Sequence, residues 1–276
     1  MSREELVVSL SSIPPRFGRI GATLRSLVAQ EVPVSVELQV PRRYRRFPDW
    51  DGTLPEVPDG VTIRRVEEDW GPATKLLGAL AGRAEDARIL FCDDDQHYPP
   101  DWAARFLALE RDRPNAALAL LGMQAYDAAG GSRERALQPR ATRRWRVTDL
   151  EFQLRFLWQD LTRGRGLPSP GRRVVKRSGY ADIFEGRGGV LVRPAFFPDD
   201  VFDVPAPCWT VDDVWLSACV ALQGVPIWVQ GGYRDPTDTE AEAVDPLCRS
   251  DVGGTDRAAQ NRAAIEYLRK TYGIWR

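Results

Sequence analysis

The stretch RILFCDDD, Arg88 to Asp95, sets an apolar run from Ile89 to Cys92 directly against three aspartates. A short apolar run bounded by polar turn residues reads as a strand covered on both faces, and Asp93, Asp94 and Asp95 then stand where the chain leaves the sheet. In open α/β sheets that strand end is where ligands bind. Working outward, Leu6 to Leu10 reads as a buried strand, followed by a turn-rich loop through Ser11, Pro14 and Arg16 and a helix from about Ile20 to Gln30. Val34 to Val40 and Val61 to Val66 supply two more strands, and Thr74 to Leu80 a short helix behind Gly71 and Pro72. Past the aspartates, Pro100 lies in the first turn of a helix, where its missing amide hydrogen costs nothing, and Trp102, Phe106, Leu107 and Leu109 form the apolar stripe. This alternation predicts a layered α/β fold with a central, mostly parallel sheet, and right-handed crossovers gather its strand ends on one rim.

Further along, Ala117 to Met123 reads as a strand, though rich in Ala and Leu. The rhythm then changes. Arg133 to Arg177 holds thirteen basic and four acidic residues around an amphipathic helix from Asp149 to Thr162. Arg163 to Gly189 carries seven glycines with Pro168 and Pro170, and reads as a mobile insertion that returns to the sheet at Val190 to Val192. A helix from Val211 to Leu222, a strand from Pro226 to Val229 and a helix from Asp256 to Tyr272 complete the pattern. No stretch reads as an interdomain linker or a repeat, so a single domain over residues 1–276 is expected.

Of the 276 residues 43% are hydrophobic and 28% charged, the mixture of a folding globular chain. Lys and Arg total 38 against 39 Asp and Glu, so no global field holds a nucleic acid or an acidic surface, and a polyanion would have to be met locally. Lysine occurs only at Lys75, Lys176 and Lys270, leaving the positive groups as arginine forks suited to phosphate or carboxylate. The four cysteines are far apart, which argues against a zinc knuckle or a redox dithiol. With no stretch reading as a secretory leader or a membrane span, a reducing, cytoplasmic location is the expectation. His97 is the only histidine, so a metal would rest on oxygen ligands. Neither a G-x-G-x-x-G nor a Walker loop is present, which leaves a dinucleotide oxidoreductase or an ATPase without support.

The aspartate trio is costly unless a cation meets it. Mg²⁺ or Mn²⁺ could bridge one carboxylate to phosphate oxygens, whereas the bland reading is a solvated turn capping the helix near Pro100. Asp212 and Asp213 allow the same choice between a reactive acidic pair and an N-terminal helix cap shared with Thr210. In the loop from Asp69 to Lys75, Thr74 could cap and Lys75 could reach a phosphate, or both could face solvent. Ser11, Pro14 and Arg16 offer nucleotide contact or ordinary turn chemistry. Trp209 and Trp215 offer sugar stacking or core packing, Gly188 and Gly189 offer close backbone approach, and Arg187 with Arg172, Arg173, Lys176 and Arg177 could neutralise a diphosphate as the glycine-rich segment closes. His97 is close enough in sequence to support a metal site, or it is a surface residue.

Asp93-Asp94-Asp95 resembles the D-x-D signature of nucleotide-sugar-dependent glycosyltransferases of the GT-A fold. Leu6 to Arg16 is similar to the opening strand and nucleotide-binding loop of those enzymes, and Trp209 to Leu216 to their later acidic acceptor-site motif, so the resemblance spans roughly residues 5–230. Asp212-Asp213-x-x-Leu216 is closest to the inverting family-2 pattern, with Asp212 where a Glu is usual. The resemblance implies a Rossmann-related α/β/α sandwich, a nucleoside-diphosphate sugar as donor, and Mn²⁺ or Mg²⁺ held by Asp95 with Asp93. It implies donor contacts from Ser11, Pro14, Arg16, Asp69, Lys75, Asp93 and Asp94, in a donor half of about residues 1–123. Asp213 would be the general base toward an acceptor hydroxyl, with Asp212 orienting, in an acceptor half of about 124–276 to which Trp209, Trp215, Arg187, Gly188 and Gly189 also belong. The alternatives are a nucleotidyltransferase and a non-catalytic carbohydrate- or polyanion-binding protein.

Overall fold

The computed structural model describes residues 6–131, 137–163, 169–245 and 257–275. The first half runs β1 (Leu6–Ser11), α1 (Gly21–Val28), β2 (Val34–Pro41), β3 (Val61–Val66), α2 (Thr74–Leu80), β4 (Arg88–Phe91), β5 (Gln96–His97) and α3 (Trp102–Asp112). It continues through β6 (Ala117–Ala119), β7 (Gly122–Met123), α4 (Ala125–Ala129), β8 (Thr142–Arg143), α5 (Leu150–Arg163), β9 (Val175–Arg177), β10 (Gly179–Ala181) and β11 (Ile183–Phe184). The chain closes with β12 (Val190–Val192), α6 (Asp212–Leu222), β13 (Ile227–Val229), β14 (Thr237–Asp238) and α7 (Arg257–Tyr272).

An eight-stranded sheet in the order β10-β13-β6-β12-β4-β1-β2-β3 is the frame. The pairs β1/β2, β1/β4, β2/β3 and β6/β13 are parallel, while β12 runs antiparallel to both its neighbours and β10 antiparallel to β13. Side chains alternate across this sheet with the period of two that extended backbone imposes. Val8, Leu10 and Leu90 pack with Leu24 and Leu27 of α1 and Trp102 and Phe106 of α3. Ile89 and Phe91 face the other way, onto Leu76 and Leu77 of α2, Trp215 of α6 and Leu268 of α7. Helices therefore cover both faces, which is why the strands read as near-continuous apolar runs.

Topology places the site. From β1 the chain crosses through α1 to β2 on one side, whereas β4 lies on the other side of β1. The strand order thus reverses between β1 and β4, and a crevice opens beyond their carboxyl ends. Ser12 and Arg16 leave one of these strands and the aspartate trio leaves the other.

Two expectations need correction. Ala117 to Met123 is not one strand: β6 belongs to the main sheet and β7 pairs with β11. The break falls at Leu120 and Leu121, and β7 begins at Gly122, where a Cβ would lie 2.7 Å from Val229 Cγ2 and 2.8 Å from the Ile183 carbonyl oxygen. Nor is the glycine-rich segment a single insertion. Its described part forms β9 against β8, β10 at the sheet edge and β11 against β7. Residues 164–168 of that segment, and 132–136 of the basic run, lie outside the described residues.

Candidate active site

The end of β4 is pinned from both sides of the sheet. Thr23 Oγ1 of α1 donates to the Asp94 carbonyl at 2.9 Å, and the Asp93 amide donates to Tyr98 Oη at 3.1 Å. Tyr98, fully buried, in turn donates to the Arg187 carbonyl at 3.2 Å. On the opposite face Ser9 Oγ donates to the Lys75 carbonyl at 2.6 Å, holding the start of α2 beside β1.

Held this way, the three aspartates meet three different environments. Asp93 Oδ1 accepts from Lys75 Nζ at 2.5 Å. Asp94 is buried, with Oδ1 accepting from Arg16 Nη1 at 2.5 Å and Oδ2 from Ser12 Oγ. Asp95 accepts from Gln96 Nε2 at 3.0 Å and lies 3.3 Å from Arg16 Nη1. The middle residue is thus locked into the protein, while its neighbours border the cleft.

Lys75 reaches across that cleft. Its buried ammonium lies 2.9 Å from Asp212 Oδ2 in the first turn of α6, off the line of a hydrogen bond, so that this oxygen has no hydrogen-bond donor. The next residue, Asp213, accepts the Gly186 amide on Oδ1 at 3.0 Å. Helix α6 has Val211 at its N-cap position and no side-chain cap, so the capping reading of Thr210, Asp212 and Asp213 does not describe this terminus. Thr210 Oγ1 donates instead to Gln260.

Electrostatics follow from this crowding. Burial alone would lower Lys75, but Asp212 and Asp93 raise it well above the usual lysine range. Burial would likewise raise Asp93, yet the charge and hydrogen bond of Lys75 hold it below the ordinary carboxylate range. For Asp95 the nearby Arg16 does not suffice: burial, with Asp93 and Asp94 beside it, pushes it up to about 6. Asp213 is raised well above the ordinary range by burial and by Asp212. Arg16 stays charged, because Asp94 and Asp95 more than offset its desolvation.

A cleft of about 230 Å³ joins these groups, with Ser11, Arg16, Asp69, Lys75, Arg187 and Trp209 on its walls besides the two acidic clusters. Asp69 lends the cleft shape rather than a free carboxylate, since it accepts the Arg45 amide at 2.7 Å and the Gly71 amide at 2.8 Å. Trp209 packs against Gly71, whose φ of +60° suits the glycine there. Arg187 donates to Asp238 at 2.9 Å.

Several expected residues lie elsewhere. Pro14 opens a 3-10 turn over Pro14–Arg16, and Ile13 faces the cleft in its place. Trp215 is a core residue, 1% exposed, donating from Nε1 to the Val201 carbonyl at 2.8 Å. Gly188 and Gly189 pack against Leu121 and Trp102, and Trp102 Nε1 donates to the Gly188 carbonyl at 2.9 Å, so their smallness serves the core. Arg172 holds Asp149 and Arg173 holds Glu151. His97 is exposed, with its backbone paired to Thr237. Lys176 and Arg177 are exposed on β9.

Sequence reasoning missed Gly186, where a Cβ would lie 2.7 Å from Lys75 Nζ and 3.2 Å from Asp93 Oδ1. It missed Tyr44, whose hydroxyl donates to the Ser12 carbonyl at 2.7 Å, and Arg257, which lines the cleft and donates to the Thr210 carbonyl. One of seven glycines and one of many arginines carry no local signal; only the fold singles them out.

Among the described residues no three His, Cys, Asp or Glu side chains converge as a metal cage. The donors present are hard oxygens, and Asp95 is a desolvated carboxylate beside two others, whose repulsion Arg16 only partly offsets. That fits a divalent cation shared between one or two carboxylates and substrate phosphates, as Mg²⁺ is commonly held, and does not fit an all-protein site.

No family model and no curated protein matches the sequence. Among solved structures the chain is similar to S. aureus TarS residues 1–349, with a TM-score of 0.43 and 13% identity over 98% of this chain and 72% of that one. The complex of TarS 1–349 with UDP-GlcNAc aligns with a TM-score of 0.43 at 12% identity, covering 98% and 73% of the two chains. Francisella tularensis 2-C-methyl-D-erythritol 4-phosphate cytidylyltransferase aligns with a TM-score of 0.42 at 13% identity, covering 85% and 93%. The α/β/α sandwich with a mostly parallel central sheet, implied by the resemblance to GT-A glycosyltransferases, is the fold observed.

Proposed function

We propose that this cleft transfers a glycosyl group from a nucleoside-diphosphate sugar to an acceptor hydroxyl. One observation carries the reading: carboxylates from the end of β4 and from the first turn of α6 face a single cleft at the switch point of the sheet, with Lys75 between them. An arrangement built only to bind an anion would not gather so many carboxylates. One that uses a cation on a diphosphate and a base on a hydroxyl needs both groups.

In this reading the N-terminal half, about residues 1–123, takes the donor. Arg16, joined by Arg187 from the later half, supplies positive charge along the diphosphate, Ser11 borders the nucleotide, and Asp69 shapes the loop against it. Mg²⁺ or Mn²⁺, held by Asp95 with Asp93, would supply Lewis-acid neutralisation of the leaving group. The later half takes the acceptor beside Trp209. Asp213, oriented by the Gly186 amide, accepts the acceptor hydroxyl's proton as that oxygen bonds to the anomeric carbon. The bond from the anomeric carbon to the diphosphate breaks with its electron pair on the departing oxygen. A raised Asp213 carboxyl makes a stronger base once ionised. A single displacement of this kind inverts the anomeric centre, and Asp212, tied to Lys75, positions the base.

The test is a thermal-shift screen of uridine, guanosine and thymidine diphosphate sugars with and without Mn²⁺, since a ligand selective for the folded state raises apparent stability. It is followed by product analysis with hydroxyl acceptors. Release of nucleoside diphosphate that needs an acceptor supports the proposal. Release of pyrophosphate from a nucleoside triphosphate and a sugar phosphate would make the chain a nucleotidyltransferase instead.

A further inference from the structure

Helix α5 presents an apolar face to solvent. Leu150, Leu154, Leu157, Trp158 and Leu161 are each between 55% and 75% exposed. At about 100° per residue these positions share one sector of the helix, while Phe152 and Phe156 turn toward the protein. Just upstream, Trp145 is 81% and Val147 85% exposed. Seven of the eleven exposed large hydrophobics among the described residues thus fall between 145 and 161, a concentration that marks a contact surface rather than ordinary scatter.

The charges around this face select its partner. Asp149 is held by Arg172, and Glu151 is shared by Arg173 and Arg234. Arg144, Arg146, Arg155, Lys176 and Arg177 are exposed and form no ion pair among the described residues. Asp160, half-buried at the far margin, is the one remaining acid on the helix. An apolar stripe with tryptophans and a basic margin is suited to lie in a headgroup layer, whereas a second copy of the chain would set like charges against each other. Among the described residues no helix is long and apolar enough to cross a membrane.

We propose that α5 and the segment from Trp145 dock this protein on an anionic lipid surface. The inference is separate from the transferase reading, because its test needs no nucleotide sugar. The full chain is spun with vesicles of phosphatidylcholine alone and with equal parts phosphatidylglycerol. Binding to the anionic vesicles is expected, weakening as salt rises, with little binding to the neutral ones. Combining Leu154→Ser, Leu157→Ser and Leu161→Ser should weaken it by more than about tenfold, given the apolar area removed. Arg144→Glu with Arg146→Glu should weaken it while leaving the apolar stripe intact, and an unchanged melting temperature in each variant shows that the fold survives. Equal binding to both vesicle types overturns the proposal. So does binding that ignores the leucine substitutions, or a dimer that those substitutions dissolve in a protein that leaves vesicles untouched.

Discussion

Lys75, in the first turn of α2, places its ammonium 2.9 Å from the Asp212 carboxylate in the first turn of α6. The same nitrogen lies 2.5 Å from Asp93. One buried charge therefore joins two halves of the site that are distant in sequence. Lys75→Met should leave the buried Asp212 carboxylate without its counter-charge and remove the nearest cation from the partly buried Asp93, at a cost of about 3–5 kcal/mol at neutral pH. The sign with pH follows. Without Lys75, burial is left to raise the folded-state pKa of Asp93, so the folded variant binds protons more tightly than the unfolded chain and loses stability as pH increases through the carboxylate range. Urea denaturation of both proteins at several pH values should show the gap narrowing in acid. A gap that stays constant would mean that the carboxylates do not depend on Lys75.

Asp213→Asn should lower transfer by about 10²–10⁴-fold, the span of general-base catalysis, and leave donor affinity unchanged. The wild-type rate should climb as pH rises through a value above the ordinary carboxylate range, because burial and Asp212 keep Asp213 protonated beyond it and only the ionised form accepts a proton. The Asn variant should lack this limb. Steady-state rates across pH check both points, and unchanged transfer rejects Asp213 as the base.

The parts of the fold that could be read from sequence are those whose signal is local. The runs Leu6–Leu10 and Ile89–Cys92 are largely apolar because both faces of their strands are covered, and Val34–Val40 alternates with the strand period; neither signal needs knowledge of what covers it. The position of Asp93 to Asp95 at the end of β4, on the cleft, was legible for the same reason. What was not legible depends on contacts far along the chain. Trp209 and Trp215 are the same residue type six positions apart, and only burial assigns one to the cleft and the other to the core. The Gly186 amide as donor to Asp213, and Asp94 rather than its neighbours as the anchor for Arg16, arise from the packing of separate elements.

The division of labour among the aspartates can be separated by stability. Asp94 has both oxygens engaged by buried partners, so Asp94→Ala leaves the buried Arg16 with only the more distant Asp95 as counter-charge and should cost about 3 kcal/mol. Asp95 carries a charge that burial and its neighbours disfavour. Asp95→Asn should therefore leave the fold at least as stable near neutrality, while abolishing the Mn²⁺-dependent part of donor binding, as is common where a site holds a strained charge for function. Chemical denaturation alongside nucleotide titration checks the pair. A stable Asp94→Ala protein with an unfolded Asp95→Asn one would reverse the assignment.

Two glycines three positions apart should fail in different ways. Gly189 has φ +89°, and a Cβ there would lie 2.4 Å from Trp102 Cζ2. Trp102 cannot yield, since it is fully buried, donates to the Gly188 carbonyl and packs 4.4 Å from the Tyr98 ring centroid. Gly189→Ala should thus cost about 2–4 kcal/mol through backbone strain and overpacking together. At Gly186 the backbone needs no left-handed conformation, but the added methyl would meet Lys75 Nζ at 2.7 Å. The end of that side chain can shift only by leaving Asp93 or Asp212, so Gly186→Ala should keep most of its stability and lose donor binding and transfer. Melting temperature and transfer rate measured on both variants separate the two effects. If Gly186→Ala transfers at the wild-type rate, the position of the Lys75 ammonium has no part in organising the cleft, because that methyl displaces it.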